Sequence, residues 1–255
     1  MSRWVLVNAS TKPTASGGPL TAEALAAIAW AVQKQVSEDF APTCGIGPCT
    51  VRVAGGPTDI KRGEKPFAFV DALPNGSNAL AADAYCAVPT CVDLFGPSGV
   101  SIDVSQEVLQ DLGNPDCNAW VNDGRGWQHS WERCNAVETQ SYAKKHPSGQ
   151  LVYVSNFLLT SWVDPSSRGP FTYMATKGIK GFIEPPGPFR TAAGGGGGNF
   201  QLVLRNPPKG ALPKPIESAM EAIQGFPSKR NAALHSASRA SRIIRAHNLA
   251  TQSSK

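Results

Sequence analysis

The sequence predicts a mixed α/β (α+β) domain with long Gly/Pro-rich loops and a helical C-terminal extension. Three observations lead there. Short apolar runs of strand length alternate with segments whose apolar residues recur at helical spacing. The chain holds 25 Gly and 21 Pro with only 17% charged residues, yet 41% of it is hydrophobic, so it is loop-rich without having the composition of a disordered chain. The charge also changes sign along the chain. Residues 201–255 carry nine Lys or Arg against two acids, a formal +7, which leaves −2 for residues 1–200 out of the total of +5. One domain over 1–200 and a basic linker with a helical arm over 201–255 are therefore expected.

Trp4–Val7 is an apolar run and reads as the first strand. Thr21 is suited to cap a following helix, with Glu23 in its positive first turn. Leu25, Ile28, Ala29, Val32 and Val36 fall on one face of that helix, which is expected to end before Pro42. TVRVA (50–54) and FAFVD (67–71) are strand-like, and PNGSN (74–78) is a turn cluster. A second helix is expected from Asp103 as N-cap, with Gln106 three residues on and Gly113-Asn114-Pro115 as its stop. WVNDGRGWQHSW reads as a Trp-rich loop, LVYVSNFLL (151–159) as a strand, and PPGPFRTAAGGGGGN (185–199) as a low-complexity loop. In the extension, PIESAMEAIQGF and NAALHSASRASRIIRAHNLA are short helices.

Several function classes are disfavoured. WVLV is too short for a signal peptide core, which takes about 7–15 apolar residues, and no run approaches the ~18 of a membrane span. Folding in the cytoplasm of the producing cell, with no membrane partner, is expected. GGGGG lacks the Lys-Ser/Thr that a phosphate-cradling loop uses. Six cysteines fall into the pairs Cys44/Cys49, Cys86/Cys91 and Cys117/Cys134. Idle buried thiols, late-formed disulfides and a four-thiolate zinc site from the two C-x4-C segments are all open readings.

The segment richest in chemical implication is SQEVLQDLGNP (105–115). A zinc-hydrolase helix places one ligand at i and a second at i+4, with a glutamate at i+1 to take the proton from metal-bound water. Here Glu107 holds the glutamate position, while Gln106 and Gln110 hold the two ligand positions. A neutral amide oxygen is a poor zinc donor beside imidazole or carboxylate. Taken as an ordinary amphipathic helix instead, Gln106 and Gln110 are solvated, and Glu107, Glu132 and Glu138 are surface acids.

SQEVLQDLGNPDCNAW (105–120), ERCNAVE (132–138), Tyr142 and VSNFLLTSWVDP (154–165), with ADAYC (82–86) upstream, resemble a family of uncharacterised zincin-like proteins of phages and bacterial genomes. That family's hallmark runs roughly SHEVLEMLVDPxxNxW, then EVCDPVE with a Tyr, then VSNFVxPxYFDP. The resemblance covers about two-thirds of the chain. It implies a zincin-like scaffold with His replaced by Gln106, Glu by Gln110, His by Cys86 and Asp by Asn135. Gln106, Glu107, Gln110, Glu132 and Glu138 are then vestiges of a site, with no metal, cofactor or catalysis expected.

The expected function is that of a non-enzymatic structural protein of a phage virion, on the capsid, neck or tail, present in multiple copies. Its neighbours would be other virion proteins, contacted through Arg239, Arg242 and Arg245 of the basic arm. Those arginines recur every third residue with no aromatic residue between them to stack on bases, which favours a protein partner over nucleic acid. The competing reading is a working zinc metallohydrolase, acting on the host cell wall or on phage proteins, that recruits Glu132, Glu138 and His129. A metal-free carboxylate pair with Trp120, Trp127 and Trp131 stacked on sugar rings is a third.

Overall fold

A computed structural model describes residues 2–73, 81–82, 84–115, 120–122, 127–137, 139–164, 166–177, 189–193 and 200–205. In chain order the first elements are β1 (Ser2–Asn8), α1 (Ala22–Lys34), a π-helical turn (Gln35–Phe40) and α2 (Ala41–Cys44). They are followed by β2 (Cys49–Val53), β3 (Lys65–Val70), β4 (Ala81–Ala82), β5 (Tyr85–Ala87) and α3 (Val100–Gly113). The remainder are β6 (Trp120–Asn122), β7 (Trp127–Ser130), β8 (Ser141–Lys145), β9 (Leu151–Ser155), β10 (Phe189–Ala193) and β11 (Phe200–Arg205). The fold is mixed α/β, as expected. It divides into two compact units, one of Met1–Leu112 with Gln140–Asn156, the other of Gly113–Thr139 with Phe157–Lys255.

The first unit is built on a sheet of order β2-β1-β3-β5-β4, in which β1, β2, β3 and β5 run parallel and β4 is antiparallel to β5. A parallel strand covered on both faces reads as an unbroken apolar run. Accordingly Trp4, Val5, Leu6 and Val7 of β1 are all buried. All five apolar positions expected to face the core from the first helical run, Leu25, Ile28, Ala29 and Val32 on α1 and Val36 in the π turn, are buried too. Thr21 caps α1 through its hydroxyl, which accepts the Ala24 N–H at 3.1 Å. The side chain of Gln33, on α1, closes the outer edge of β2. Its Oε1 accepts the Val51 N–H at 2.7 Å and its Nε2 donates to the Cys49 carbonyl at 3.0 Å. An amide thereby takes the place of a neighbouring strand.

Two helix boundaries differ from expectation. The first helical run does not stop before Pro42 but continues to Cys44, where Gly45 ends it with φ 64°. The π turn explains this. The Ala41 N–H bonds back to the Val36 carbonyl, one residue further than in an α-helix, so the ladder has already shifted where the N–H-less proline arrives. The second helix starts at Val100, not at Asp103. Its first N–H groups are taken by the preceding loop, Val100 by the Asp93 carbonyl at 3.2 Å and Ser101 by the Leu94 carbonyl at 3.1 Å. A side-chain cap is thus unnecessary, and Asp103 sits in the first turn, where the helix dipole favours a negative charge. Its stop at Gly113 is as expected.

The first unit also holds the antiparallel hairpin β8–β9, with Tyr142 opposite Val154 and Lys144 opposite Val152. The second unit has an antiparallel sheet of order β10-β11-β7-β6. The Trp-rich stretch is therefore not all loop, since Trp120–Asn122 pairs with Gln128–Ser130. Part of the low-complexity stretch likewise forms β10. Near this sheet in sequence, Ala136, Val137, Leu158 and Trp162 make a buried cluster flanked by Trp131. The turn cluster 74–78, the pentaglycine, Cys117 and the two helices expected in the extension lie outside the described residues. Among the described residues no helix is long and apolar enough to cross a membrane.

Candidate functional site

The candidate site is α3 together with its supports in the first unit. Of the apolar side expected from the helical period, Val104, Val108 and Leu109 are buried, whereas Leu112 near the helix end is half-buried. The polar side is buried as well: Gln106, Glu107 and Gln110 are each only 2% exposed. The reading of Gln106 and Gln110 as solvated, and of Glu107 as a surface acid, is thereby corrected. A helix enclosed on every side has no wet face to present.

A buried polar network anchors this helix. The Ser105 hydroxyl donates to Gln35 Oε1 at 2.6 Å and accepts the Ser155 N–H at 3.0 Å. Gln35 Nε2 donates to the Ser155 carbonyl at 2.6 Å and reaches the Tyr142 hydroxyl at 3.3 Å. Tyr142 in turn donates to Asp39 Oδ2 at 2.5 Å. Lys144 Nζ closes the far end on the same carboxylate, 3.0 Å from Oδ1 and 2.8 Å from Oδ2. The π-helical turn supplies both Gln35 and Asp39, so the widened turn presents an amide and a carboxylate to the same interior. Satisfied networks of this kind fix one arrangement of the elements they join, because each group left without its partner is costly in a low-dielectric interior. Here they join the π turn, α3 and the β8–β9 hairpin.

A second polar cluster ties α3 to the interior strands β1 and β3 of the sheet. Trp4 Nε1 donates to Asp111 Oδ2 at 3.2 Å, and Lys65 Nζ pairs with Asp111 Oδ1 at 2.6 Å. Cys86 on β5 and Cys91 just past the 3-10 turn that follows it are thiols with their sulfurs 3.2 Å apart, both buried. The hydrogen bond between them, together with burial, pushes the Cys86 thiol well above its ordinary range. Burial also raises the Cys49 thiol to about 11.

In the second unit Glu132 is fully buried, correcting its reading as a surface acid, and its Oε1 accepts from Asn114 Nδ2 at 3.0 Å. Arg133 lies 3.9 Å over the Trp131 ring and donates through Nη1 to the Leu158 carbonyl at 3.2 Å. Trp131 stacks on the buried Trp162 at 6.3 Å, so it lines a core edge and not an open platform.

His146 belongs to the β8–β9 turn, where its Nδ1 bonds Ser148 Oγ at 2.8 Å and its ring meets Trp30 edge-on at 5.0 Å. Glu138, Arg239, Arg242 and Arg245, and the side chains of Trp120, Trp127 and His129, fall outside what is described.

Among the described residues no three His, Cys, Asp or Glu side chains gather into a set that could hold a metal ion, and the four-thiolate zinc reading of the C-x4-C segments is not realised there. At the ligand spacing of α3 the donors are two buried amides beside one carboxylate. Sequence reasoning singled out Gln106, Glu107, Gln110, Glu132 and Tyr142, but not Gln35, Asp39, Ser155 or Lys144. The one signal toward those was the interrupted helical period near Pro42. No protein-family model, no curated protein and no solved structure matches the chain.

Proposed function

We propose that the protein is a non-enzymatic structural component of a bacteriophage particle, built on a metallohydrolase-like scaffold whose metal site has been rewritten. The observation that carries this reading is the burial of Gln106 and Gln110 at 2% exposure on either side of Glu107 in one helix. Interior side chains at i and i+4 are where such a helix holds its metal, and here they are neutral amides, poor donors to a divalent cation. The phage context comes from the motif resemblance. The basic segment 201–255 supports a contact with neighbouring subunits, with Arg239, Arg242 and Arg245 as its anchors.

The anchoring of α3 by buried hydrogen bonds suits a structural part. The Ser105–Gln35 and Ser105–Ser155 bonds hold the helix, and the Tyr142–Asp39–Lys144 bonds join the π turn to the β8–β9 hairpin.

Mass spectrometry of purified particles tests the reading. The protein should be found there at a fixed stoichiometry, and deleting residues 206–255 should abolish its incorporation. Absence from the particle overturns it. So does metal analysis of the purified full chain that finds one zinc per molecule, together with a hydrolytic activity lost on Glu107→Gln. That outcome establishes the competing zinc metallohydrolase.

A further inference from the structure

We propose that Cys86 and Cys91 form an oxidation-closed staple, a modification site that stays a dithiol in a reducing cytoplasm and becomes a disulfide once the protein meets a small peroxide. The proposal does not depend on the phage reading. Cys86 lies on β5, with Phe69 of β3 opposite it in register. The chain then turns through a 3-10 segment, Val88–Thr90, and Cys91 returns over the strand with its N–H on the Val88 carbonyl at 3.0 Å. The two sulfurs are already 3.2 Å apart, in hydrogen-bond contact, with exposures of 0% and 1%. A disulfide requires about 2.05 Å, so closure needs about one ångström of approach and no refolding of either segment.

What the staple would hold is specific. Cys91 accepts the Ala15 N–H at 3.0 Å, and two residues on begins the loop whose Asp93 and Leu94 carbonyls cap the first turn of α3. Closing the pair therefore fastens β5 to the strap that starts the central helix. The neighbouring Val92 is 76% exposed, so the chain meets solvent one residue from the buried Cys91 sulfur. A bulky disulfide reagent is excluded by that burial, whereas a peroxide is little larger than water.

The chemistry balances. One sulfur attacks a peroxide oxygen and the O–O bond breaks, giving a sulfenic acid and, with the thiol proton, one water. The second sulfur attacks the first, the S–S bond forms and the S–O bond breaks. The departing hydroxide leaves with the second thiol proton as another water. Two electrons pass from the sulfurs to the peroxide. The raised Cys86 thiol keeps the thiolate scarce, so the step is slow in the folded protein and does not compete with cytoplasmic reduction.

The test uses the full chain, treated with hydrogen peroxide, blocked with N-ethylmaleimide and cleaved by chymotrypsin. Cleavage after Tyr85 and Phe95 isolates residues 86–95, which contain these two cysteines and no others. The expected fragment is unblocked and lighter by two hydrogens, and the intact protein melts about 5 °C higher. Dithiothreitol should reverse both changes, and Cys91→Ser and Cys86→Ser should show neither. Three results each overturn the proposal: a fragment doubly blocked by maleimide after the half-exposed Cys44 has reacted; sulfinic acids on the two sulfurs without a cross-link; or a cross-link that leaves the melting temperature unchanged.

Discussion

Replacing Ser105 by Ala isolates one of the polar links that join α3 to the rest of its unit. The hydroxyl serves two partners, donating to Gln35 Oε1 at 2.6 Å and accepting the Ser155 N–H at 3.0 Å. Ser105 is fully buried, as are Gln35 and Ser155, so water cannot take its place. Removing it strips a carbonyl-type acceptor and a backbone donor of these bonds at once. Each such loss costs about 1–3 kcal/mol, and the methyl group that remains fills nearly the volume of the hydroxymethyl, so no cavity term is added. The expected destabilisation is about 3 kcal/mol, near the upper end of ordinary single substitutions.

Thermal denaturation of the full chain should register this as a loss of about 6–12 °C. Ser37→Ala is the control, because the Ser37 hydroxyl is exposed and its bond to the Lys34 carbonyl is long at 3.3 Å; it should change stability by less than about 0.5 kcal/mol. A double-mutant cycle with Gln35→Ala should show coupling of about 1–2 kcal/mol, since each single change already breaks the shared bond. A Ser105→Ala protein as stable as its parent, or additive behaviour in the cycle, would refute the view that α3 is held by buried polar contacts.

Gly113→Ala should destabilise the protein by about 1 kcal/mol, although alanine is the better helix former by a similar amount. A Cβ there would come within 2.7 Å of Arg133 Cγ, and Arg133 is itself buried and bonded to the Leu158 carbonyl. In an Arg133→Ala background the same change should become neutral or stabilising by urea denaturation. Stability should also be pH-dependent on the acid side. Asp71 is held down to about 2 by the Ser10 and Thr11 hydroxyls, and Glu64 to about 2 by the Arg52 guanidinium. Both folded-state values lie below the ordinary ones of 3.8 and 4.5, so the unfolded chain takes up protons first. The melting temperature should hold above about pH 5 and fall as the pH drops from about 4 toward 2. Asp71→Asn should flatten part of that fall. Lys144→Met should lower stability by about 3 kcal/mol, because it removes the Lys144 ammonium from the buried Asp39 carboxylate, with Tyr142→Phe milder at about 1 kcal/mol.

How much of this architecture the chain announces depends on whether a residue's environment is set locally. The strands β1, β2 and β3 and the apolar face of α1 were legible, because burial on a sheet leaves an apolar run or an alternation and a helix stripe leaves a period in nearby residues, whereas the strand expected over 151–159 stops at Ser155 as β9. So was the Thr21 cap, whose partner lies three residues away. The start of α3 was not, since its first N–H groups are taken by loop carbonyls that carry no side-chain signature. β5 has three residues and β6 three, too few for a period to show. β8, Ser-Tyr-Ala-Lys-Lys, is written in polar residues because Tyr142 and Lys144 turn toward Asp39 and not toward an apolar core. The candidate site was half legible for the same reason. The spacing of Gln106, Glu107 and Gln110 could be read, but their enclosure could not. The groups that anchor this helix come from 70 residues away at Gln35 and 50 at Ser155, and Tyr142 finds Asp39 across 103 residues. Polar residues at helical spacing look like a wet face until the tertiary partners are known. In this unit the polar side of the helix is interior, with Gln106, Glu107 and Gln110 all buried, so it is not the wet face of an ordinary amphipathic helix.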